Sequence, residues 1–384
     1  MNYNRPLKSG STFTIRVMCA TVFVVFSFCW LYFFQSDVFM MAQHVLSGGV
    51  THYNRMVGAV LITITLSLVQ MLVFRFVHLE KRSHALTYLP SMLLLAMLST
   101  VYPSGQTGVT FCFSWWIPIL VLLVWLPVVR MSRMAQDVEE DDNYHLLSRP
   151  MWINMLLMAF MMAGVAWIGN TNAVFHYRMR AERCLLERNA AKALEIGNES
   201  LESDADLLML RMYALARQGA LGESLFEYPI TGTNEQILPT DSQTVMMLYP
   251  VDSLYKYIGA RPAGRMSPIR YLELMQRRDT LPNKAVNDYL LCSYLIDKDL
   301  DTFAAEIGKY YTVNDSLPKH YREALTLYTH SKVNPVVVYR QPVMEEDYRN
   351  YLAMKKQYSL PSERKGKVKE YYWNTYWYYY DFEE

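Results

Sequence analysis

The sequence predicts an all-α membrane protein, in which a bundle of five transmembrane helices precedes an α-helical domain outside the cytoplasm. The first observation is composition, since 52% of the 384 residues are hydrophobic and only 19% are charged, which is too apolar for an average soluble protein. The second is distribution, because almost all of the apolar excess lies before Gly169 and the charged residues concentrate after His176. We therefore predict a transmembrane domain at residues 1–170 and an extracytoplasmic domain at residues 171–384.

Five apolar runs account for the membrane domain. A helix needs about 20 apolar residues to cross a hydrocarbon core of about 30 Å. The runs that we predict to span are Thr14 to Phe34, Met56 to Val77, Leu86 to Tyr102, Phe111 to Val129 and Met151 to Gly169. The third and fifth are short, but a buried soluble helix would seldom be apolar on every face for so long. The first exceeds a signal-peptide core and lacks a cleavage site after Phe34, so we predict a retained anchor.

Positive charges alternate between the connections and predict the orientation of the bundle. Lys and Arg near the ends of spanning helices stay preferentially in the cytoplasm. They are Arg5, Lys8 and Arg16 before the first run, Arg75, Lys81 and Arg82 after the second, and Arg130, Arg133 and Arg149 after the fourth. The connection after the first run holds only Arg55, and the connection after the third holds neither Lys nor Arg. The N-terminus is therefore predicted inside, and five crossings put the C-terminal domain outside.

The membrane half resembles an anchor more than a transporter. Ionisable residues are almost absent from the interior of the spans, whereas ion and substrate paths require them. The first external loop carries Asp37, His44 and His52, which could form an acid/base or metal-binding group, similar in position to the acidic first external loop of polyprenyl-phosphate-dependent membrane glycosyltransferases. The two histidines lack a third ligand at helical spacing, so we predict no metal site. An enzyme, or enzyme subunit, acting on lipid-linked glycan at the outer face is the alternative function.

The external half reads as consecutive short helices joined by tight turns, which is typical of stacked helical hairpins. In YLLCSYLIDKDLDTFAAEIGKYY, Leu291, Cys292 and Leu295 fall near the large and small positions of a tetratricopeptide hairpin, although Asp299 stands where the turn usually has Gly. In LRMYALARQGALGESLFEYP the turn glycine is present as Gly219. We predict a tetratricopeptide-like domain, with a generic helical bundle as the alternative.

Two stretches carry a family resemblance. With LPKHYREALTLY, Leu317 to Tyr328, and NTYWYYY, Asn374 to Tyr380, the chain resembles a family of uncharacterised multi-pass envelope proteins of Bacteroidota whose external halves are tetratricopeptide-like. The resemblance covers mainly the residues after Asp204. It implies a bacterial inner membrane and a periplasmic C-terminal domain, and it lends no activity.

Catalytic signatures are missing from the sequence of the external half, which has no Walker loop, GxSxG, HExxH or CxxC. We therefore predict a non-enzymatic protein without a cofactor. A net charge of +1 supplies no field that would attract nucleic acid. The expected partners are membrane lipid and another envelope protein. Cys184 and Cys292 would face an oxidising space and could pair, although nothing in the sequence brings them together.

The chain closes with EYYWNTYWYYYDFEE, in which nine of fifteen residues are aromatic. Tyr and Trp prefer sites with one apolar and one wet side, such as a membrane interface or a groove in a helical domain. We favour a tail that folds back as the capping helix of the external domain, with an interfacial anchor and a partner-docking segment as alternatives. The predicted interaction residues are Tyr372, Trp373, Tyr376, Trp377 and Tyr380.

Overall fold

The structure is a computed structural model that describes residues 10–104, 108–111, 114–136, 149–240, 244–278 and 283–383. Arg5 and Lys8, which contribute to the predicted orientation, lie outside these residues. The chain divides into two compact units, Met1–Asn172 and Ala173–Glu384. Each unit is described by itself.

In its described residues, the first unit has helices and one β-hairpin as its regular structure. Its elements are α1 Gly10–Cys29 with a π-helical continuation Trp30–Phe34, α2 Ser36–Leu46, α3 Arg55–Val77, a 3₁₀ segment Lys81–Tyr88, α4 Leu89–Leu98, β1 Val101–Ser104, β2 Gly108–Phe111, α5 Trp116–Gln136 and α6 Arg149–Ile168. The strands β1 and β2 pair antiparallel, with Val101 opposite Phe111.

Within the described residues, four helices are long and apolar enough to cross a membrane: Phe13–Phe34, Arg55–Val77, Trp116–Ala135 and Arg149–Ile168. They correspond to four of the five predicted runs, although the helix of the fourth run begins at Trp116 and not at Phe111, which lies in β2. Large apolar side chains point outward from them, as Trp167 does with 90% of its surface exposed and Phe160 with 69%. Such surface is stable in lipid and unfavourable in water, so these helices indicate a membrane protein.

The third predicted run is not one continuous spanning helix, so that prediction is wrong in its detail. Leu86 to Tyr88 belong to the 3₁₀ segment, α4 has ten residues, and Val101 already lies in a strand that the sequence analysis did not predict. Pro90 occupies the first turn of α4. Proline fits that position but lacks the N–H that an α-helix interior needs, so the residues before it cannot continue the same hydrogen-bond ladder.

This broken segment runs beside α1. At one end, Glu80 pairs with Arg16 at 2.5 Å. At the other end, the indole N–H of Trp30 donates to the hydroxyl of Ser99 at 2.9 Å. Arg16 and Trp30 are fourteen positions apart, which is about 21 Å of helix axis. The segment from Glu80 to Ser99 therefore advances by most of the length of α1.

Contacts with α6 show that the broken segment also runs along this helix. The backbone N–H of Ala85 donates to the side-chain oxygen of Asn154 at 2.7 Å, near the start of α6. Beyond the end of α6, the backbone N–H of Asn170 donates to the carbonyl of Ser99 at 2.8 Å. Gly169 permits this approach, because a Cβ there would lie 2.7 Å from the Trp30 ring and 3.1 Å from the carbonyl of Val165. The broken segment is thus parallel to α6 over about 24 Å.

The second unit is built from short helices. They are α7 Ala173–Leu186, α8 Ala190–Glu195, α9 Ala205–Gln218, α10 Leu221–Ser224, α11 Val251–Ile258, α12 Pro268–Arg278, α13 Lys284–Ile296, α14 Leu300–Tyr310, α15 Lys319–Ser331, α16 Pro342–Gln357, α17 Pro361–Tyr372 and α18 Tyr376–Phe382, with 3₁₀ turns at Leu225–Glu227 and Asn234–Gln236. An all-helical fold is confirmed for this unit, whereas the tetratricopeptide-like arrangement stays a prediction. Cys184 and Cys292 are both buried free thiols.

The same turn closes three helices of this unit. Arg188, Gly219 and Lys298 have φ near +60° to +68° and follow α7, α9 and α13. After each, the next backbone N–H reaches five residues back, as when Asn189 donates to Cys184 and Asp299 to Tyr294, both at 2.9 Å. This left-handed helix end reverses the chain so that the next helix can pack on the previous one.

Candidate functional site

The three polar residues predicted in the first external loop are not all brought together. Asp37 is buried in the first turn of α2, and His44 lies in its last turn. Seven residues of helix separate them, which is about 10.5 Å along the axis. Burial, and then the nearby charge of His52, lowers the pKa of His44. His44 and His52 are therefore neighbours, and no described group of three His, Cys, Asp or Glu residues could hold a metal ion. The alternative enzymatic function stays a prediction.

The aromatic tail folds onto the second unit. Helix α18 begins after Thr375, whose hydroxyl accepts the backbone N–H of Tyr378. The side chains of Tyr376 and Trp377 are 0% and 2% exposed and belong to the main hydrophobic core of this unit. Since these rings are inside the domain, a partner cannot reach Tyr376 or Trp377 while the tail is docked.

Glu323 of α15 fixes the start of α18. Its carboxylate accepts the backbone N–H of Tyr376 at 2.7 Å, and its carbonyl accepts the indole N–H of Trp377 at 2.8 Å. The same carboxylate lies 2.9 Å from Nδ1 of His320, and both side chains are buried. A buried carboxylate requires such partners, because an unpaired one would lose its hydration without compensation.

Two tyrosine hydroxyls of the tail cap α13. Tyr376 donates to the carbonyl of Leu295 at 3.2 Å, and Tyr379 donates to the carbonyl of Ile296 at 2.6 Å. These carbonyls lie in the last turn of α13, where the helix has no further N–H groups to donate to all of its final carbonyls. The tail therefore satisfies a helix end as well as burying apolar surface.

A cavity of about 240 Å³ opens beside the docked tail, and we call it the tail cavity. It is lined by Asn198, Ser200, Leu201, Phe226, Glu227, Tyr228, Pro229, Ile230, Thr231, Lys369, Trp373, Tyr378, Tyr379 and Glu383. The wall therefore combines rings from the tail with a non-helical stretch that follows α10. Trp373, with 50% of its surface exposed, provides a large open ring at this cavity.

Two polar groups of the tail cavity have no hydrogen-bond or ion-pair partner among the described residues. Among the described residues, the buried hydroxyl of Tyr378 has no hydrogen-bond partner, and burial raises the pKa of this group. The ammonium group of Lys369 has no carboxylate within ion-pair distance in the described part of the chain. By contrast, Glu227 is paired with Lys319 at 3.1 Å. The cavity thus offers an apolar ring, an unused hydroxyl and two opposite charges, the cation of Lys369 and the carboxylate of Glu383.

The predicted interaction residues consequently separate into three groups. Tyr376 and Trp377 are core residues, whereas Trp373 lines the tail cavity. Tyr372 and Tyr380 are half-buried and contact other rings of the domain, with Tyr372 5.2 Å from Tyr351 and Tyr380 6.0 Å from Tyr376 between ring centroids. Sequence reasoning missed Glu323, Lys369 and the stretch from Phe226 to Thr231, because no spacing in the sequence relates them to the tail.

Comparison with known proteins adds one finding about this region. Residues 272–383 match a family described as a family of unknown function (DUF6057). The matched residues run from α12 to α18 and so include the docked tail and Lys369. No curated protein and no solved structure matches the chain.

Proposed function

We propose that this chain is a membrane-anchored, non-enzymatic binding protein, which presents its helical domain outside the cytoplasm to another envelope protein. The observation that carries the proposal is the tail cavity, where the half-exposed Trp373 stands beside a buried unpaired hydroxyl. Partner-binding hot spots are enriched in such Trp and Tyr pockets. The resemblance to Bacteroidota envelope proteins agrees with this function.

The size and charge of the tail cavity favour a protein partner. Its volume of about 240 Å³ is below the range of about 300–1,000 Å³ typical of small-molecule sites. It suits one large anchoring side chain, since hot-spot residues insert into pockets of the partner. The wall carries opposite charges on Lys369 and Glu383, and an acidic residue next to that anchor would pair with Lys369. The expected ligand is therefore a polypeptide segment with an aromatic or large aliphatic side chain beside a carboxylate.

The course of the broken segment supports a fifth crossing. Glu80 is paired with Arg16 at 2.5 Å, and Ser99 is bonded to Trp30 at 2.9 Å. Because the segment also runs parallel to α6 over about 24 Å, most of a hydrocarbon core of about 30 Å is traversed. The 3₁₀ helix bonds its own backbone, so a short 3₁₀ piece packed among other helices is acceptable at membrane depth.

The distribution of cations supports a cytoplasmic N-terminus. Arg16 stacks on the ring of Phe74 at 4.6 Å, so the start of α1 lies beside the end of α3. Phe76 of α3 and Arg133 of α5 line a common cavity. These helix ends therefore share one side of the bundle, and positive charge marks the cytoplasmic side. With five crossings, the second unit is periplasmic in a bacterial inner membrane.

The repeated turn supports a repeat-like domain. Helix ends at Arg188, Gly219 and Lys298 share a left-handed residue and the same backbone bonds. A common turn between successive helices is what tetratricopeptide-like hairpins require. We propose this architecture for the second unit.

Binding is tested by placing a photo-crosslinking amino acid at position 373 in the full-length protein in native membranes. We expect a discrete adduct with one envelope protein at 373. Position 371 is the matched control, because Tyr371 is 67% exposed and does not line the tail cavity. Lys369→Glu should reduce the adduct at 373. Equal adduct patterns at 373 and 371, or no adduct at either, would count against a partner site.

Topology is tested by a membrane-impermeant label at position 106, between β1 and β2. If the broken segment crosses, a cysteine at Gln106 is labelled from outside, and a compartment-sensitive reporter after Glu384 reads outside as well. If the segment does not cross, both positions read cytoplasmic. A cysteine at Gln136, at the end of α5, is a third reporter, which stays protected from the label if the segment crosses and is labelled if it does not.

A further inference from the structure

The second unit has another cavity, which differs from the tail cavity in the charge of its lining residues. Its volume is about 520 Å³, and it is formed by the ends of α7 and α9, by α11 and by the two residues before α11. Among its nine described lining residues, Arg188, Arg217 and Lys256 are cationic and none is acidic. We call it the basic cavity. Its volume falls within the range of about 300–1,000 Å³ that small-molecule sites occupy.

Neighbouring acids along the chain are already engaged elsewhere. Glu187, next to Arg188, pairs with Arg183 at 3.1 Å. Asp252, at the start of α11, pairs with Arg261 at 2.9 Å. Neither acid lines the cavity. Among the described residues, none of the three cations forms an ion pair with a carboxylate, and like charges around a shared space repel unless an anion enters.

Arg217 is held in place by aromatic groups. One guanidinium nitrogen donates to the hydroxyl of Tyr213 at 3.2 Å. The guanidinium carbon also lies 5.2 Å from the ring centroid of Tyr257, whose own hydroxyl donates to the carbonyl of Ala216 at 2.7 Å. A guanidinium group has five N–H donors in a planar fork. These contacts orient the guanidinium group of Arg217 before a ligand binds, and most of its N–H donors stay available to that ligand.

A phosphate group fits this combination of donors best. A planar Arg fork binds phosphate oxygens through two parallel bonds, and Lys adds a compact positive charge. Ser253 of α11 supplies a hydroxyl on the same wall, and Leu186, which is 42% exposed, supplies an apolar one. Three cations supply more N–H donors than the two oxygens of a carboxylate can accept, and the additional oxygens of a phosphate group can accept the rest. We propose that the basic cavity binds a phosphate-bearing ligand, either a small soluble phosphate or the headgroup of an anionic lipid.

A substitution at Arg188 is expected to lower the affinity for the ligand without lowering thermal stability. It has φ +60°, a conformation that favours glycine. Arg188→Gly should therefore preserve or raise thermal stability while it removes one cation of the basic cavity. Arg217→Gln removes the preorganised fork. Arg265→Gln is the matched control, because Arg265 is exposed and lies outside the basic cavity while the change in net charge is the same.

The full-length protein in uncharged detergent is titrated with inorganic pyrophosphate, and separately with short-chain phosphatidylglycerol against short-chain phosphatidylcholine, by calorimetry at constant ionic strength. We expect Arg188→Gly and Arg217→Gln each to weaken binding by about tenfold, as loss of a charged hydrogen bond does, and Arg265→Gln to leave it unchanged. Binding of pyrophosphate identifies a soluble phosphate as the source, and binding of phosphatidylglycerol alone identifies a lipid headgroup. Absence of binding by both probes, or equal weakening in Arg265→Gln, would overturn the proposal.

Discussion

The carboxylate of Glu323 accepts the backbone N–H of Tyr376 across 53 positions of sequence, at a distance of 2.7 Å. Both residues are buried. The bond holds the first turn of α18 against α15, so the aromatic tail is a structural part of the domain. This explains how a chain can end in large rings without fraying, because their burial compensates for the entropy lost on ordering.

Glu323→Ala should release the tail. The change leaves the N–H of Tyr376 and the ring nitrogen of His320 without their acceptor, and each buried unsatisfied group costs about 1–3 kcal/mol. We expect the free energy of unfolding of the domain to fall by about 2–4 kcal/mol. Hydrogen exchange of the full-length protein in detergent should show faster exchange confined first to α18. Glu323→Gln keeps an acceptor and should cost less than half as much, and equal losses in the two variants would contradict this role.

Three neighbouring tyrosines should respond differently to loss of a hydroxyl. Tyr376→Phe and Tyr379→Phe each remove a bond that caps α13, and we expect each to lower the free energy of unfolding by about 1 kcal/mol. Tyr378→Phe removes a buried hydroxyl that has no partner among the described residues, so it should be neutral or stabilising. Thermal unfolding of the full-length protein measures the series. A loss in Tyr378→Phe as large as in the other two would show that its hydroxyl is bonded.

The sequence was sufficient for features that depend on local properties. Four runs of apolar residues predicted helices that are long enough to cross a membrane, since length and composition are local quantities. The helical character of the second half followed from periodicity in the same way. By contrast, the partners of the tail lie in α13 and α15, and nothing in the spacing of Glu323 and Tyr376 reveals that they meet.

A proline in the sequence indicated the break in the third run, but the structure that the residues before it adopt depends on packing. Pro90 was visible as a possible kink, and in the structure it begins α4 after a 3₁₀ segment. Whether the residues before it form a 3₁₀ helix is decided by contacts such as that between Ala85 and Asn154, which are 69 positions apart. The basic cavity is another feature of this kind, because Arg188 lies in the turn after α7, Arg217 in α9 and Lys256 in α11.

Gly169→Ala should disrupt the end of the membrane bundle that holds Trp30 and Ser99. The added methyl group would lie 2.7 Å from the Trp30 ring, and overpacking of this kind typically costs about 1–3 kcal/mol. We expect a lower midpoint of unfolding in mild detergent and a faster rate of proteolysis between β1 and β2. Gly164→Ala is the control, because a Cβ at Gly164 meets no atom within 4 Å. Equal midpoints for the two variants would argue against close packing at Gly169.

Glu182→Gln should change how the stability of the second unit depends on pH. One carboxylate oxygen of Glu182 accepts the backbone N–H groups of Met247, Leu248 and Tyr249 at 2.5 to 2.9 Å, while the other is buried without a partner among the described residues. Burial raises the pKa of Glu182, against the opposing effect of these N–H groups and of Arg178. The folded protein therefore keeps the proton of Glu182 to a higher pH than the unfolded chain does.

The sign of the effect follows from proton linkage. Above the ordinary pKa of 4.5, the unfolded chain loses the proton first, so the contribution of Glu182 is complete below that pH and is lost as pH rises through the raised folded value. Glutamine cannot ionise. We expect the unfolding temperature of Glu182→Gln relative to the natural protein to increase with pH from about 4.5 upward, as calorimetry in detergent would measure. A pH-independent difference between Glu182→Gln and the natural protein would contradict a raised pKa of Glu182 in the folded state.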